Sequence, residues 1–573
     1  MEPKSWKQYQ QRFDNVVQAA AEWKTNWKDI SDYLYPRHGA FLANDDEEQG
    51  KGEKKGQKII NTHASLSRQV CGAGIMSGLS SASKPWFRMG LADDELMELK
   101  PVRIWLHDVT KVLTDIFAKS NFYTSMRNLY SELCAFGFNV VIIEEDFDKI
   151  IRCRPTTIGE CFVTLDSQYR PDTLYRKFWL SLSQVIDKYC PKGADGKYSQ
   201  RNADGTGVSD SVWAAWEGTQ NESGSDRREE KYLIYNVIEP RKVRDPNDLG
   251  PKGMPYASMT WMVSGGDDQF LKISGYTSKP FIAPRWEVTG TDTYGDCPGM
   301  GALSEVKQLQ LMETDKLLAI ELEVKPPMNA PSSMADQALT QLPGGVNFYD
   351  PQSGQQGMTP THMVRSNLQN LGLTLQQVEQ RIDRHFFVQL FLSVLGEAKQ
   401  LTAAETYQRI AEKVQQLGPV IERLETEALD EAIDRAYTIA DDAGMFPPPP
   451  EEILDMEIKP EYISLLAQAQ KLAGTTSIEA FAGFVAQVAA VKGDALDKVD
   501  WDEMIDQYAA LLGVPPELVR TDDVVSEMRA AAAAQAAAQQ QMESGMEIAN
   551  GAKLLSEAKM DSPSALTAMA GGI

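Results

Sequence analysis

The stretch NTHASLSRQVCGAGIMSGLSSASKPWFRM, from Asn61 to Met89, decides the fold of this chain. Its glycines, concentrated between Gly72 and Gly78, lie inside a helical pattern of apolar and small residues. A phosphate-binding loop is the other interpretation of such glycines, but the GxGxxG spacing fails at Ser77 and no predicted strand precedes the segment. The sequence therefore predicts a helix from Asn61 to about Leu79 that packs closely against its neighbours through small residues.

A second segment, YGDCPGMGALSEVKQLQLMETDKLLAIELEVKPPMNAPSSM, begins at Tyr294 and contains a long predicted helix. This helix covers Ala302 to Val324, about 35 Å at the usual rise per residue, and Pro326-Pro327 ends it. After a stretch rich in glycine and proline, a second long helix is predicted from about Val364 to Leu395. Two long helices separated by such a linker indicate an antiparallel excursion from the body.

Between these two segments the composition changes to short runs rich in β-branched and aromatic residues. From Phe138 to about Val288 these runs are bounded by glycine, proline or aspartate, which predicts a mixed α+β block. Within it, Gly193 to Glu230 is dominated by Gly, Ser, Asp, Asn and Glu, and this composition predicts a mobile surface insertion. The remainder is almost wholly helical by pattern, with a kink expected at Gly418-Pro419. The predicted fold class is α+β, predominantly helical.

Six further segments occur in a fixed order along the chain. They are RFDNVVQAAAEWKTNWKDISDYLYPRHGAF (Arg12 to Phe41), FGFNVVIIEED (Phe136 to Asp146), YLIYNVIEPR (Tyr232 to Arg241), GYTSKPFIAPRWEV (Gly275 to Val288), LTAAETYQRIAEKVQQLGPVIERLETEAL (Leu401 to Leu429) and IKPEYISLLAQAQK (Ile458 to Lys471). Together with the two segments above, this ordered set resembles the head-to-tail connector, or portal, proteins of short-tailed bacteriophages. The resemblance covers nearly the whole chain, from residue 6 to residue 530.

The resemblance implies a phage portal fold with a wing, a stem, a clip and a crown, assembling into a ring that most often has twelve copies. Such a ring stands at one vertex of the capsid, where a separate terminase motor pumps double-stranded DNA in and from which the DNA is later ejected. The implied regions are the wing at 1–290, with the mobile insertion at about 193–230; the first stem helix at 291–325; the clip at 326–366; the second stem helix at 367–395; the tunnel loop at 396–401; a kinked helix returning to the wing at 402–446; and the helical crown with the C-terminal helix at 447–573.

The resemblance also implies which residues line the channel and which form the clip. The tunnel loop at the constriction would consist of Gly396, Glu397, Ala398, Lys399 and Gln400. The clip would include Pro326, Pro327, Pro331, Gly344, Gly345 and Pro351. On the first stem helix, Lys307 and Lys325 share a face and Lys316 opposes them, because the nine-residue spacing equals about 2.5 turns. These lysines form either a solvated helix face or, in a ring, a set of weak phosphate contacts that face the channel.

The charge of the chain bears on its partners. A formal net charge of -24 and a pI near 4.8 count against tight, sequence-independent DNA binding, because such binding depends on Lys and Arg. A channel that DNA must cross quickly should repel or ignore the phosphates. The expected partners are further copies of this chain, the major capsid protein, the scaffolding protein, the terminase large subunit, tail adaptor or head-completion proteins, and double-stranded DNA without sequence specificity.

The sequence has no run of 18 or more apolar residues, and its N-terminus lacks the apolar core of a signal peptide. We therefore expect no membrane partner. The chain should be made and assembled in the cytoplasm of the bacterial host and should end at the portal vertex of the virion.

No pattern indicates an enzyme, a cofactor or a metal site. GADGK, from Gly193 to Lys197, lacks the spacing of a nucleotide-binding loop, the five histidines form no HxxxH or HExxH motif, and the six cysteines form no CxxC motif, which predicts buried, reduced thiols. Glu144, Glu145 and Asp146 could form a nuclease-like carboxylate cluster, but an exposed strand end is the simpler interpretation. The alternative functions are another virion ring, such as a tail adaptor, which is normally much shorter, and a DNA-processing packaging enzyme.

Overall fold

The computed structural model describes residues 5–42, 56–91, 93–97, 99–220, 226–245, 248, 250–263, 270–329, 359–360, 368–394, 417–454, 456, 458–464, 466, 481–488, 499–512, 520, 524–535, 537, 546 and 548. The predicted tunnel loop and most of the predicted clip, including Pro331, Gly344, Gly345 and Pro351, lie outside these residues. The chain divides into two compact units, Met1–Ala473 and Gly474–Ile573.

The first unit begins with six helices and one strand. They are α1 (Trp6–Ala19), α2 (Ala21–Tyr33), α3 (His63–Leu79), β1 (Phe87–Leu91), α4 (Asp94–Met97), α5 (Lys100–Lys119) and α6 (Phe122–Phe136). Trp27, Ile30 and Leu34 are fully buried, as the apolar spacing of this segment predicts. The Trp27 indole Nε1 donates to the Phe136 carbonyl oxygen at 3.1 Å, which joins α2 to the end of α6.

Two antiparallel sheets follow. Their elements are β2 (Val141–Asp146), β3 (Ile150–Pro155), β4 (Cys161–Leu165), β5 (Pro171–Ser181), α7 (Leu182–Tyr189), α8 (Asp210–Gln220), β6 (Lys231–Pro240), β7 (Tyr256–Met262), β8 (Lys272–Tyr276) and β9 (Phe281–Ile282). One sheet has the order β3-β2-β9 and the other β4-β5-β6-β7-β8. The mixed α+β block is confirmed, and β3 is a strand that the sequence pattern did not predict.

The segment predicted to be a mobile insertion is folded over most of its described length, so that prediction is corrected. Within 193–230, Val208 and the α8 residues Val212 and Ala215 belong to a second hydrophobic core that also contains residues of α7. Two turns contain an Asp-Gly pair. In one the Gly196 N–H donates to the Gly193 carbonyl, and in the other the Gly205 N–H donates to the Asn202 carbonyl. Gly196 and Gly205 both have a left-handed backbone conformation. The composition rich in glycine, aspartate and asparagine therefore reflects tight turns that border a small hydrophobic core.

The segment after the sheets contains the predicted pair of long helices. Its elements are α9 (Pro298–Gly301), α10 (Leu303–Val324), β10 (Met328–Asn329), β11 (Thr359–Pro360), α11 (Leu368–His385) and α12 (Val388–Val394). The first long helix is confirmed as α10. The second is broken at Phe386-Phe387, where Phe387 has a φ of 52°, so a single helix to Leu395 was wrong. Phe386 is fully buried at this break.

The last part of the first unit returns to its beginning. It contains α13 (417–424), a π-helical segment Glu425–Asp430, α14 (Glu431–Asp442) and β12 (Ile458–Tyr462). The predicted kink at Gly418-Pro419 lies at the edge of the described residues, which resume at Leu417, and stays a prediction. Within the described helix the irregularity is the π-helical segment. Strand β12 pairs antiparallel with β1, with Phe87 opposite Tyr462, and the first compact unit extends to Ala473. The start of the crown at residue 447 stays a prediction.

The glycines of α3 permit close packing of α6 and α12 against this helix. A Cβ on Gly72 would lie 3.1 Å from the Ser131 Cα of α6, and one on Gly74 would lie 2.3 Å from the Phe391 ring of α12. Neither position has room for a side chain unless its neighbour moves. Small-residue packing is confirmed, and α3 is the helix on which α6, α11 and α12 meet.

The second unit is described by three helical segments, α15 (481–488), α16 (Trp501–Leu512) and α17 (524–535). The helix predicted from Trp501 to Leu512 is confirmed. Arg529 of α17 forms a bidentate ion pair with Asp502 of α16, at 2.5 and 2.9 Å. Across the described helices of both units, no segment has the length and apolar character needed to span a bilayer.

Candidate functional site: the paired helices α10 and α11

The predicted channel lysines of α10 have different surroundings. Lys307 Nζ lies 2.6 Å from Asp29 Oδ2 of α2 and 5.4 Å from the centre of the Tyr33 ring. Lys316 pairs with Glu313 one turn earlier, at 3.3 Å. Lys325 is exposed at the C-terminal end of the helix. Lys307 therefore connects α10 to the N-terminal helices of the same chain, a role that its spacing alone did not indicate.

A polar network fixes α10 to the segment just before α3. The Gln310 side chain is buried; its Oε1 accepts from the backbone N–H groups of Ile60 (2.7 Å) and Asn61 (2.9 Å), and its Nε2 donates to the Asn61 carbonyl (2.8 Å). The Asn61 Nδ2 donates to Glu313 at 3.2 Å and to Glu379 of α11 at 3.1 Å. A buried amide with all these partners holds two helices and a loop in one register.

A second cluster fixes α11 to α3. Asp383 Oδ1 accepts from His63 Nε2 at 2.9 Å and from the Ser67 hydroxyl at 2.7 Å. His63 and Ser67 lie one turn apart at the start of α3, so both side chains reach the same carboxylate. The composition is that of a serine, histidine and aspartate triad, but the serine hydroxyl bonds the aspartate and the His63 backbone carbonyl instead of the histidine ring. The cluster is therefore a structural anchor and lacks the geometry of a nucleophile with its base.

The apolar residues of α10 divide into a covered and an uncovered set. Val306 and Leu309 are fully buried against the body of the chain. In contrast, Leu311 and Leu318, seven residues apart on the opposite face, are 62% and 52% exposed, and Val324 is 70% exposed. Exposed leucines at the seven-residue spacing of Leu311 and Leu318 share one helix face and indicate a surface that another protein covers, whereas Val324 lies five turns after Val306 and so on the other face.

A short ladder closes the base of the excursion between the two helices. Met328 of β10 pairs with Pro360 of β11, and Asn329 pairs with Thr359, in antiparallel register. Pro326 and Pro327 lie between α10 and this ladder, as expected for residues that end a helix. Residues 330–358 of the chain therefore connect two strands that are paired with each other.

The acidic residues at the end of β2 have structural partners. Glu144 pairs with Arg154 of β3 at 2.7 Å, and Glu145 pairs at 3.1 Å with Arg435 of α14, whose side chain is fully buried. The backbone N–H of Asp148 donates to Asp146 Oδ1 and lowers the pKa of that carboxyl. These partners favour the strand-end interpretation over a nuclease cluster, and the described residues contain no group of three or more His, Cys, Asp or Glu arranged to bind a metal.

Two contacts of the π-helical segment had no signal in the sequence. Arg285 is buried; it forms a 2.6 Å ion pair with Glu427 and donates to the Tyr169 carbonyl at 2.9 Å. The Tyr462 hydroxyl donates to Asp430 at 2.5 Å, and burial raises the pKa of that carboxyl. Both pairs join residues more than 30 positions apart, so only the tertiary fold reveals them.

The cysteines are structural. All six are free and buried, which confirms the prediction from their spacing. Burial raises the pKa of Cys153 and of Cys161 to about 12, so neither thiol is a reactive thiolate at neutral pH.

Comparison with known proteins identifies the family. The model of the family described as "Bacteriophage head to tail connecting protein" matches residues 6–519. The portal protein of Salmonella phage epsilon15 is 35% identical over 549 residues, which is 96% of this chain and 94% of that protein. The probable portal protein of Bordetella phage BPP-1 is 35% identical over 516 residues, 90% of this chain and 88% of that protein.

Among solved structures, a chain from the neck of an empty gene transfer agent particle matches 79% of this chain and 94% of its own length. Its sequence identity is 13% and its TM-score is 0.34, a likeness too low to carry an argument about fold or copy number. The family match and the two phage relatives, each spanning almost the whole chain, are sufficient. This chain belongs to the family of bacteriophage head-to-tail connecting, or portal, proteins.

Proposed function

We propose that this chain forms a ring, of twelve copies, that makes the DNA channel at the portal vertex of a bacteriophage capsid. Viral double-stranded DNA enters the capsid through this channel during packaging and leaves through it during ejection. The family relationship supports the channel role. The uncovered leucines of α10 support assembly, because a long helix with apolar residues on two opposite faces needs a neighbouring chain to cover the second.

In this proposal the stem consists of α10 and α11 and the clip consists of residues 326–366. The wing is the body before residue 290, and the helical crown is the region after residue 447, including the second unit. The β10–β11 ladder supports the clip assignment, since it gives the excursion a closed base. The partners of the clip are the terminase large subunit during packaging and the tail adaptor or head-completion proteins afterwards.

The wing contacts the major capsid protein, and the scaffolding protein assists incorporation of the ring during assembly in the host cytoplasm. The tunnel loop at 396–401 forms the constriction, where Lys399 recurs as a belt of like charge around the channel. That belt makes transient contacts to phosphates that weaken as salt rises. The proposed activity is structural and uses no cofactor and no catalytic residue.

The proposed function is tested by replacing Ser332–Gly357 with a short Gly-Ser linker across the β10–β11 ladder. The two ladder ends already lie side by side, so the rest of the first unit should fold and the ring should form as in the wild type. DNA packaging in a defined terminase reaction should be lost, because the motor has lost its docking site. Unaltered packaging by this variant would refute the clip assignment, and failure of the wild-type chain to form any ring would refute the proposed function itself.

A further inference from the structure

Two cysteines meet where α3 packs against α6. Cys71 Sγ of α3 lies 3.0 Å from Cys134 Sγ of α6, and both side chains are fully buried. All six cysteines of the chain lie in the part that the structure describes, and these two are the pair whose thiols are hydrogen-bonded to each other. The proposed portal function gives these two thiols no role.

The backbones of α3 and α6 are close enough for a covalent link at this position. The residue after Cys71 is Gly72, where a Cβ would lie 3.1 Å from the Cα of Ser131, one turn before Cys134 on α6. A disulfide requires an S–S distance of about 2.05 Å, so the two sulfur atoms have to approach by about 1 Å. A rotation of the two side chains covers that distance while both helices stay in place.

A third cysteine near this contact is held by a different partner. Cys297 lies just before α9 and is buried. Its Sγ donates to the Ala135 carbonyl oxygen at 3.1 Å, at the C-terminal end of α6. The Cys297 thiol therefore has a hydrogen bond of its own, and Cys71 is the sulfur neighbour that Cys134 contacts.

The surroundings of the pair slow its oxidation. Burial raises the pKa of the Cys71 thiol, and the adjacent Cys134 sulfur raises it further, although the nearby Arg68 guanidinium acts in the opposite direction. A thiol that stays protonated reacts slowly, because the thiolate is the nucleophile. In a bacterial cytoplasm glutathione and thioredoxin also keep protein thiols reduced. The two thiols should therefore survive synthesis and assembly in the reduced form.

We propose that Cys71 and Cys134 form a disulfide that joins α3 to α6 after the assembled particle has left the reducing cytoplasm. The oxidant is a peroxide. One cysteine sulfur attacks a peroxide oxygen, the O–O bond breaks, water is released and the sulfur becomes a sulfenic acid. The second sulfur attacks the sulfenic sulfur, the S–O bond breaks and a second water is released. Two thiols and one hydrogen peroxide thus give one disulfide and two waters.

The cross-link would stabilise the part of the body to which the stem is attached. Helix α3 holds α11 through the contact of His63 with Asp383, and it packs against α12 at Gly74. A bond between positions 63 residues apart restricts the unfolded chain and so favours the folded one. The timing of the reaction rests on the proposed function, since it requires a virion. The cross-link itself rests on the contact of the two sulfur atoms.

Peptide mapping of the full chain tests the cross-link. One portion of purified protein is kept in dithiothreitol and another is treated with hydrogen peroxide at neutral pH. Free thiols are then alkylated under denaturing conditions, and both portions are digested with trypsin without further reduction. Cys71, Cys134 and Cys297 are each the single cysteine of a tryptic peptide, at residues 69–88, 128–149 and 286–307. We expect peptides 69–88 and 128–149 to be linked after peroxide treatment and separate in dithiothreitol.

Two results of the peptide map would overturn the proposal. One is alkylated Cys71 and Cys134 in a peroxide-treated sample in which the exposed Met445 has become a sulfoxide, because the oxidant was then active and the pair did not close. The other is a link between peptides 128–149 and 286–307, because Cys297 would then be the partner.

The same map of purified virions, alkylated without added oxidant, tests the timing. We expect the link between peptides 69–88 and 128–149 in virions and free thiols in chain taken from the host cytoplasm. Virions in which both thiols are alkylated would overturn the proposed timing, even if the purified chain forms the disulfide with peroxide.

Matched variants separate the cross-link from other effects of peroxide. Peroxide should raise the thermal unfolding temperature of the wild type by several degrees, because the disulfide closes a long loop. Cys134→Ala should lose this rise, whereas Cys153→Ala, which removes a buried thiol of β3, should keep it. An equal rise in both variants would contradict the proposal. If Cys134→Ala does not fold, the peptide map of the wild type decides the question.

Discussion

The body of the first unit buries its apolar side chains, whereas the C-terminal half of α10 leaves large apolar side chains exposed. Around α3, glycines admit Ser131 and Phe391 to within contact of the helix backbone, and the helices meet with no space left. On α10, Leu311 and Leu318 stand in solvent although they lie on a long, regular helix. The body therefore completes its core within one chain, whereas α10 leaves leucines exposed that the proposed ring would cover.

The largest expected difference between the two regions is the loss in the free energy of unfolding when an ion pair is broken. Arg285→Ala removes the closer of the two arginines that pair with the Glu427 carboxylate and leaves Arg423 at 3.6 Å, so we expect a loss of about 3 kcal/mol in the free energy of unfolding, the lower end for a broken buried pair. Lys316→Ala removes a half-exposed pair with Glu313 on the stem, and we expect a loss of about 0–1 kcal/mol. Urea unfolding of the unassembled chain measures both. Similar losses of stability in the two variants would mean that the two ion pairs are equally exposed to water.

A smaller effect is expected for the packing of α3. Gly74→Ala places a methyl group 2.3 Å from the Phe391 ring, so α12 must move away. We expect a loss of about 1–3 kcal/mol, as for other overpacked cores. The change is measured as a lowered thermal unfolding temperature of the unassembled chain. An unchanged temperature would mean that α12 is free to shift and that α3 is not the rigid centre of the body.

A glycine-to-alanine substitution in α11 should raise the stability of the chain instead of lowering it. A Cβ on Gly372 of α11 would meet no atom within 4 Å. Gly372→Ala should therefore stabilise the chain by about 0.5–1 kcal/mol, because alanine loses less backbone entropy when a helix forms. A decrease in stability from Gly372→Ala would indicate that this part of α11 is already covered in the unassembled chain, and the contrast between body and stem would be weaker than we describe.

Local patterns predicted those parts of the fold that local residues determine. The small-residue helix α3, the long helix α10 and the end at Pro326-Pro327 follow from spacing and proline chemistry. Strand β12 could not be predicted, because IKPEY becomes a strand only through pairing with β1, more than 350 positions earlier. The break at Phe386-Phe387 was also missed, because no local proline or glycine marks it; Phe386 is buried in the core at this point.

The candidate site shows the same division. The sequence indicated that lysines recur on α10, but it could not indicate that Lys307 pairs with Asp29. The network of Gln310 and Asn61 was also missed, since a glutamine on a helix has no distinguishing local pattern. Contacts between distant positions, such as Lys307 with Asp29 and Asp383 with His63, are therefore visible only in the tertiary structure.

The central claim is that the exposed leucines of α10 are covered by neighbouring copies. Its most direct test is mass photometry at micromolar concentration of the wild-type chain and of a variant combining Leu311→Ser with Leu318→Ser. We predict that the wild type forms a species near twelve times 63.6 kDa and that the variant remains a folded monomer with an unchanged circular dichroism spectrum. A variant that assembles into the same ring as the wild type would contradict the account, because the stem would then not need these leucines to hold its copies together.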